Sequence, residues 1–536
     1  MRFFSISIIL HFVVSQLLKS SGAMAFATLT SRILGMVREI VYARFMGDSW
    51  VAGAFMLAFT IPNLFRRLLG EGALTAAFIP IFKEKEKREG EAEMWRAANA
   101  VVSGFLLAGS VVVILVVLGV SVAISAGEYQ QETALMLRLL RLMFPYMLLV
   151  CLAAIFIGMA NARGHFFIPA TGAAMLNIVM ILSVFLLAPR MGDRLETQIY
   201  GLAIGVLIAG FVQATFQLPT LYKEGYRIKY VSPFNNPTVR LVLQRMIPGT
   251  LGVAAYQINM LVTQSIAFGV SPTIIASFNY SVRLMELPQG VFGISIATYL
   301  LPTLSGYFSE KKYDDFRSTL RNGMEHLILI NMLASVLLTF LAEPIVRLLF
   351  ERGQFSPLST QRVAFALMFL APGLIAFSAI NILARAFFAT GDTKTPMKIS
   401  VFCFAINIVF TILLVKPLQQ GGMALANTAT AFINVYLLYF SLNKKLKSSG
   451  LEGMMKNIVL VLVIGLICGG VALLSARLWA SHIGNKNLYQ RLGEVFVPIT
   501  IATILYYIIA YFLKVPAVNE IFSLVKSRVN RIKSSK

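Results

Sequence analysis

Charge is scarce in this chain. Asp, Glu, Lys and Arg make up 13% of the 536 residues, against 57% hydrophobic residues. That balance excludes an ordinary soluble domain. Cysteine is scarcer still, with only Cys151, Cys403 and Cys468, each inside an apolar run. No disulfide framework and no cysteine metal spacing can be built from them. The four histidines are scattered, which argues against a metal site. The chain has no GxxxxGK[ST] loop, so it has no phosphate cradle for ATP hydrolysis, and no HExxH zinc motif. No catalytic set stands out. The expectation is a transporter rather than an enzyme, with no cofactor and no metal.

The charge that is present is lopsided. Lys and Arg number 47 and Asp and Glu 24, a formal net charge of +23. In a soluble chain this would suggest nucleic acid. Here most of the excess falls in short loops between apolar runs, where it sets membrane orientation. No nucleic-acid partner is expected.

Apolar runs of about 20 residues recur along the whole chain, and each is long enough to cross a bilayer. The predicted fold class is an all-α polytopic membrane protein. About 14 transmembrane helices are expected, as two six-helix lobes around a central cavity plus two C-terminal helices. The expected boundaries are an N-terminal extension over 1–18, an N-lobe over 19–222 and a C-lobe over 223–446. The last two spans occupy 447–513, and a basic cytoplasmic tail fills 514–536. With both termini in the cytoplasm, inner segments carry about 29 Lys and Arg, outer loops about 11 and spans about 7. The inner clusters include the charged run Lys83 to Arg88, Lys311-Lys312 and Lys444-Lys445.

An internal repeat is visible at an offset of roughly 225 residues. Ile61-Pro62-Asn63, then Ile79-Pro80-Ile81, then a charged run is matched by Leu287-Pro288-Gln289, Leu301-Pro302-Thr303 and a second charged run. Leu142-Met143-Phe144, Pro169 and Asn177 are matched by Leu367-Met368-Phe369, Pro396 and Asn407. Units of six helices enter the membrane from the same side, and a substrate site between such repeats is expected.

The first long apolar stretch, Gly22 to Phe45, carries Arg32, Arg38, Glu39 and Arg44. Charge inside a span is expensive and marks a functional site. Arg66 and Arg67 follow in the next stretch, and Arg283 and Glu286 lie three residues apart on one helix face. Arg32 and Glu39 share nearly one face, with Arg38 turned by roughly a third of a turn, so either arginine can pair with Glu39. Arginines exceed acids in this set, and lysine is absent from it. A surplus of guanidinium forks suits phosphate oxygens. The competing reading is a purely structural set of ion pairs. Arg44, near a membrane face, reads as a snorkelling anchor. Adjacent Arg66 and Arg67 cannot both face one way. The helices Ile247–Phe268 and Met397–Val415 contain no Asp or Glu, so no sodium site is evident. Glycines and prolines within the spans suit helices that bend.

At these residues the chain resembles the MurJ (MviN) family, lipid II flippases of peptidoglycan synthesis in the multidrug/oligosaccharidyl-lipid/polysaccharide exporter superfamily. The resemblance runs from about Lys19 to the end. It rests on Ser31-Arg32-Ile33-Leu34-Gly35 with Arg38-Glu39, and on Pro62-Asn63-Leu64-Phe65-Arg66-Arg67 followed by Glu71-Gly72-Ala73. It also rests on Arg283-Leu284-Met285-Glu286-Leu287-Pro288 and on Gly391-Asp392-Thr393-Lys394-Thr395-Pro396.

The resemblance implies a substrate with an undecaprenyl tail, a pyrophosphate and a disaccharide-pentapeptide head. It implies that Arg32, Arg38 and Arg283 engage the pyrophosphate or head. It matches Arg66 and Arg67 to the family's arginine pair and Glu286 to its partnered carboxylate. The last two spans would hold the lipid tail. Implied partners are lipid II and membrane lipids, with cell-wall synthesis proteins as further candidates. The chain departs from the family pattern at Gly53, where an Asp is frequent, and at Val282, where a polar or acidic residue is common. Both departures leave the cavity more positive and remove carboxylates that a coupling mechanism could use. A flippase for another polyprenyl-pyrophosphate glycan, a multidrug exporter of the same superfamily and a non-transporting scaffold are the alternatives.

Overall fold

The computed structural model describes residues 29–68 and 74–520. The expected extension over 1–18, Glu71 to Ala73 and the tail from residue 521 lie outside the described residues. The described chain is helical and holds no strand among those residues. It forms two compact units, divided between Leu261 and Val262.

The first unit begins with α1 (29–46), α2 (Trp50–Phe65) and α3 (Leu74–Glu89). It continues with α4 (Glu91–Ala126), α5 (Gln131–Met143), α6 (Tyr146–Ala162) and α7 (Phe167–Leu186). Then come α8 (Leu195–Thr215), the short α9 (Leu218–Lys223) and α10 (Pro237–Val270), which runs on into the second unit. The second unit continues with α11 (Pro272–Pro288), α12 (Ile294–Ser309), α13 (Tyr313–Phe340) and α14 (Ala342–Phe350). It ends with α15 (Pro357–Leu370), α16 (Gly373–Ala389), α17 (Lys394–Leu446), α18 (Met454–His482) and α19 (Leu488–Phe512).

Local sequence sets several of these boundaries. Ser49 caps α2 by accepting from the Ala52 amide at 3.2 Å. Ser356 and Ser359 form a reciprocal capping box ahead of Pro357 at the start of α15. Pro145 separates α5 from α6 with a 41° bend, and Pro372 sits at the 45° bend between α15 and α16.

Among the described residues, seven helices are long and apolar enough to cross a membrane, and up to ten if each bent pair is one span. One of the seven, α17, is not straight. Gln419 has φ 47° and ψ −123°, and the chain turns back there. Asn407 on the first arm donates to the Thr430 hydroxyl on the second at 3.4 Å. In a straight helix those residues would be about 35 Å apart. The turn is so tight that a Cβ on Gly422 would lie 2.0 Å from the Leu414 carbonyl oxygen. The expected span Met397–Val415 is the first arm, and the second arm runs from the turn to Leu446. The remaining expected spans lie on α1, α2 and α10; α1 carries Arg32, Arg38 and Arg44, and Arg66 and Arg67 follow α2.

The outward surfaces are apolar. On α4, Leu107, Val111, Ile114, Leu115, Leu118 and Val122 are exposed, and no charge interrupts residues 97–126. Such a surface is stable against hydrocarbon and costly against water.

Each unit has its own core. In the first, Trp95 packs on Phe82 (5.3 Å) and Tyr226 (5.4 Å), which joins α3 and α4 to the segment after α9. In the second, the buried Tyr506 hydroxyl of α19 donates to the Leu329 carbonyl of α13 at 2.8 Å. A Cβ on Gly469 of α18 would meet Val336 at 2.5 Å, so α18 and α13 approach closely.

The sequence repeat is echoed in the order of elements. A π-helical turn follows Pro62 at residues 66–68, and another follows Pro288 at Gln289–Gly293. Each unit then has a long helix, a proline-bent pair and a turn through a left-handed glycine, Gly164 (φ 86°) or Gly391 (φ 76°). In each, that glycine precedes a proline by five residues and then a buried asparagine, Asn177 or Asn407.

Candidate functional site: arginines within the apolar helices

The sequence places Arg32, Arg38 and Arg44 on α1, and the structure gives them different surroundings. Arg32 and Arg44 are exposed, and Arg32 has no ion-pair partner among the described residues. Arg38 turns inward. Its Nη2 donates to Glu39 Oε1 at 2.5 Å, with side chains 13% and 7% exposed. Its guanidinium lies 5.5 Å from the Tyr42 ring centroid. The open question of which arginine pairs with Glu39 is thus resolved in favour of Arg38. Asn177 of α7 donates to the Ser31 carbonyl at 3.1 Å, and a Cβ on Gly35 would sit 3.7 Å from the same amide. At this contact α7 lies against the arginine-bearing helix.

Arg66 and Arg67 occupy the π-helical turn at the end of α2, and they diverge. Arg66 Nε donates to Asn63 Oδ1 at 2.8 Å. Arg67 Nη1 lies 4.0 Å from the Met260 sulfur of α10. A π-turn changes the side-chain register by one position and is frequent at functional sites.

In the second unit, Arg283 donates to Glu286 Oε2 at 2.7 Å across one turn of α11. The two side chains are 39% and 46% exposed. An open pair of this kind can exchange its carboxylate for a phosphate oxygen at small cost, because neither charge is buried. The Arg38–Glu39 pair is buried, so exchange there would take a short ion pair away from a buried carboxylate. Arg32, Arg38, Arg66 and Arg67 belong to the first unit, and Arg283 and Glu286 to the second.

Several ionic clusters at the ends of the helices escaped the sequence reading. Arg163, after α6, pairs with Glu86 of α3, Glu91 of α4 (3.1 Å) and Glu224 after α9 (2.8 Å). His165 adds a 2.8 Å contact to Glu224. His165 and then Arg163 hold the Glu224 carboxyl below its usual range by hydrogen bonding to it. The second unit has the same strap with its charges reversed. Asp392, next to Gly391, accepts from the Thr395 amide (3.0 Å) and hydroxyl (2.8 Å) and from Lys445 (2.9 Å). The Thr395 amide is the largest cause that brings the Asp392 carboxyl down to about 2. A third cluster fixes α19 to α14. There Arg347 meets Glu494 at 2.8 Å, and Arg491 meets Glu351 at 2.9 Å. The shared spacing of Gly164–Pro169 and Gly391–Pro396 was the available signal for the two straps. Glu224 lies 61 residues after Arg163 and Lys445 lies 53 after Asp392, while Glu86 and Glu91 precede Arg163.

A helical membrane protein with repeated, proline-bent spans and arginines in its apolar helices is a polytopic transporter in class. Solved structures agree on the fold. A lipid II flippase MurJ in an inward closed conformation matches with a TM-score of 0.75 at 24% identity, over 91% of this chain and 99% of that one. An inward-facing multidrug resistance MATE transporter of the MOP superfamily matches at 0.62 and 15% identity, over 78% and 95%.

A sequence model of the family "Lipid II flippase MurJ" matches residues 42–490. A probable lipid II flippase MurJ of Vibrio cholerae is 34% identical over 446 residues, 80% of this chain and 84% of that protein. One of Rhizobium tropici is 32% identical over 503 residues, 92% and 94%. The lipid II flippase MurJ of Burkholderia cenocepacia is 31% identical over 427 residues, 78% and 82%. The chain belongs to the lipid II flippase MurJ family. It is a multi-pass protein of the bacterial inner membrane and a transporter.

Proposed function

We propose that this chain moves lipid II from the inner to the outer face of the plasma membrane by alternating access, with both termini cytoplasmic. The observation that carries the function is the family match across residues 42–490. Arg32 and Arg38 from the first unit and Arg283 from the second bind the pyrophosphate or head group. Arg32 and Arg283 are the accessible members, and the Glu286 carboxylate beside Arg283 is itself exposed. Arg38 contributes fixed positive charge beside Glu39. Arg66 and Arg67, on the π-turn, belong to the same set, with Glu286 as the exchangeable partner of Arg283. The lobes are six helices each, 19–222 and 223–446, and the lipid tail lies beside the last two spans, 447–513. Surplus charge at the site makes the cycle responsive to membrane potential, at about 2.3 kcal/mol per charge per 100 mV. Cell-wall synthesis proteins are the partners that take up the product.

The test is lipid II exposed at the outer face of cells depleted of this protein, with rescue by wild type or Arg32→Ala. Collapse on depletion, rescued only by wild type, is expected. Unchanged exposure would refute lipid II as the substrate and point to another polyprenyl-linked glycan. Rescue by Arg32→Ala would remove that arginine from the site.

A further inference from the structure

The first unit contains a cavity of about 600 Å³ that none of the arginines above enters. Its walls come from Phe65 at the end of α2, α4, Met147 of α6, Pro233 and Phe234, and the start of α10, and its lining is almost wholly apolar. Val239, Val242, Leu243 and Met246 of α10 line it, at the spacing of a single helix face. Ala108 and Val111 of α4 face them. The volume lies within the range of small-ligand sites, about 300–1,000 Å³. It sits along the part of α4 whose exposed surface is apolar, so its occupant is drawn from the bilayer rather than from water.

The rim is basic. From Gly225 to Met285 the sequence has no Asp or Glu, while Arg227, Lys229, Arg240 and Arg245 fall in its first part. Arg227 is engaged with the Tyr222 and Tyr226 carbonyls. Lys229, Arg240 and Arg245 are exposed and have no ion pair among the described residues. Arg240 and Arg245 are each one residue from a lining position, on opposite flanks of the lining face. The segment that leads to α10 is held against α4. Asn99 Oδ1 accepts from the Lys229 amide at 3.2 Å, and Ser103 Oγ from the Val231 amide at 3.3 Å. Pro233 lies 3.0 Å from where a Gly104 Cβ would be. The basic rim and the apolar wall are therefore fixed relative to one another.

We infer that this cavity binds an anionic phospholipid of the surrounding leaflet. One acyl chain lies in the cavity, and the headgroup phosphate rests on Arg240, Arg245 and Lys229. Basic groups beside an apolar surface at a membrane boundary attract anionic lipid. The volume suits a fatty-acyl chain and falls far short of an undecaprenyl chain, which favours a bilayer lipid over the transported one.

The full-length protein, delipidated in detergent, would be titrated with phosphatidylglycerol or phosphatidylcholine of matched chains and followed by native mass spectrometry. One phosphatidylglycerol is expected to remain bound where phosphatidylcholine is stripped, with at least tenfold tighter retention. Ala108→Trp, which fills the cavity, should abolish that retained molecule. The exposed double variant Arg240→Gln/Arg245→Gln, which leaves the packing intact, should bring phosphatidylglycerol down to the phosphatidylcholine level. Equal retention of the two lipids by wild type would overturn the inference. So would unchanged preference in the double variant, or stronger competition for the site by undecaprenyl phosphate than by phosphatidylglycerol.

Discussion

The Arg38–Glu39 pair separates a structural role from a functional one. The two charges are 2.5 Å apart with side chains 13% and 7% exposed, so each is a close, largely water-excluded partner of the other. Removing one partner strands the other, at about 3–5 kcal/mol for a buried pair. Arg38→Met alone and Glu39→Leu alone should each destabilise by that amount. The double variant replaces the pair by apolar groups and should recover most of the loss, because apolar replacement of a buried pair is often neutral. The cycle would thus show a coupling energy of at least about 5 kcal/mol, because two losses of about 3–5 kcal/mol are replaced by one near zero. Denaturant unfolding in mixed micelles measures stability, and lipid II exposure in depleted cells measures transport. The double variant is expected to be stable and inactive, because the positive charge is gone. Single variants that each cost under about 1 kcal/mol would refute burial of the pair. Normal lipid II exposure by the double variant would refute a role for Arg38 in transport.

Arg32→Ala and Arg283→Ala should abolish lipid II exposure while shifting unfolding by under about 1 kcal/mol, since both side chains are accessible; a matching loss of membrane-inserted protein on immunoblots would contradict this. Gly422→Ala places a Cβ 2.0 Å from the Leu414 carbonyl and should cost about 3 kcal/mol, read as a drop in folded protein by fluorescence-detected size exclusion. Asp392→Asn should destabilise by about 1–2 kcal/mol at neutral pH, a value discounted for partial exposure. The folded carboxyl titrates at about 2, below its ordinary 3.8, so its contribution is complete above about pH 4 and is lost as pH falls towards 2. Wild-type and Asp392→Asn unfolding curves should therefore converge over that interval, and a constant gap would refute the assignment.

Composition and pattern alone determined that this is a helical membrane protein. Runs of about 20 apolar residues have few other stable fates, and their count does not depend on how they pack. The arginines were legible for the same reason. A guanidinium in an apolar run stands out whatever surrounds it, and Ser31-Arg32 to Glu39 and Arg283 to Glu286 also carried the family resemblance. The repeat was visible because Pro62 and Pro288, or Pro169 and Pro396, punctuate backbone geometry locally.

Tertiary structure decided what each charge does. Spacing allowed Glu39 to pair with Arg32 or Arg38, and only the three-dimensional structure shows Arg38 turned inward, over Tyr42 of the same helix, with Arg32 left exposed. Whether a pair is buried like Arg38–Glu39 or open like Arg283–Glu286 depends on neighbours distant in sequence. The straps, Arg163 to Glu224 and Asp392 to Lys445, join residues 61 and 53 positions apart, beyond any helical period. The turn at Gln419 depends on the approach of Gly422 to Leu414, where a missing Cβ admits a backbone that no hydropathy pattern specifies.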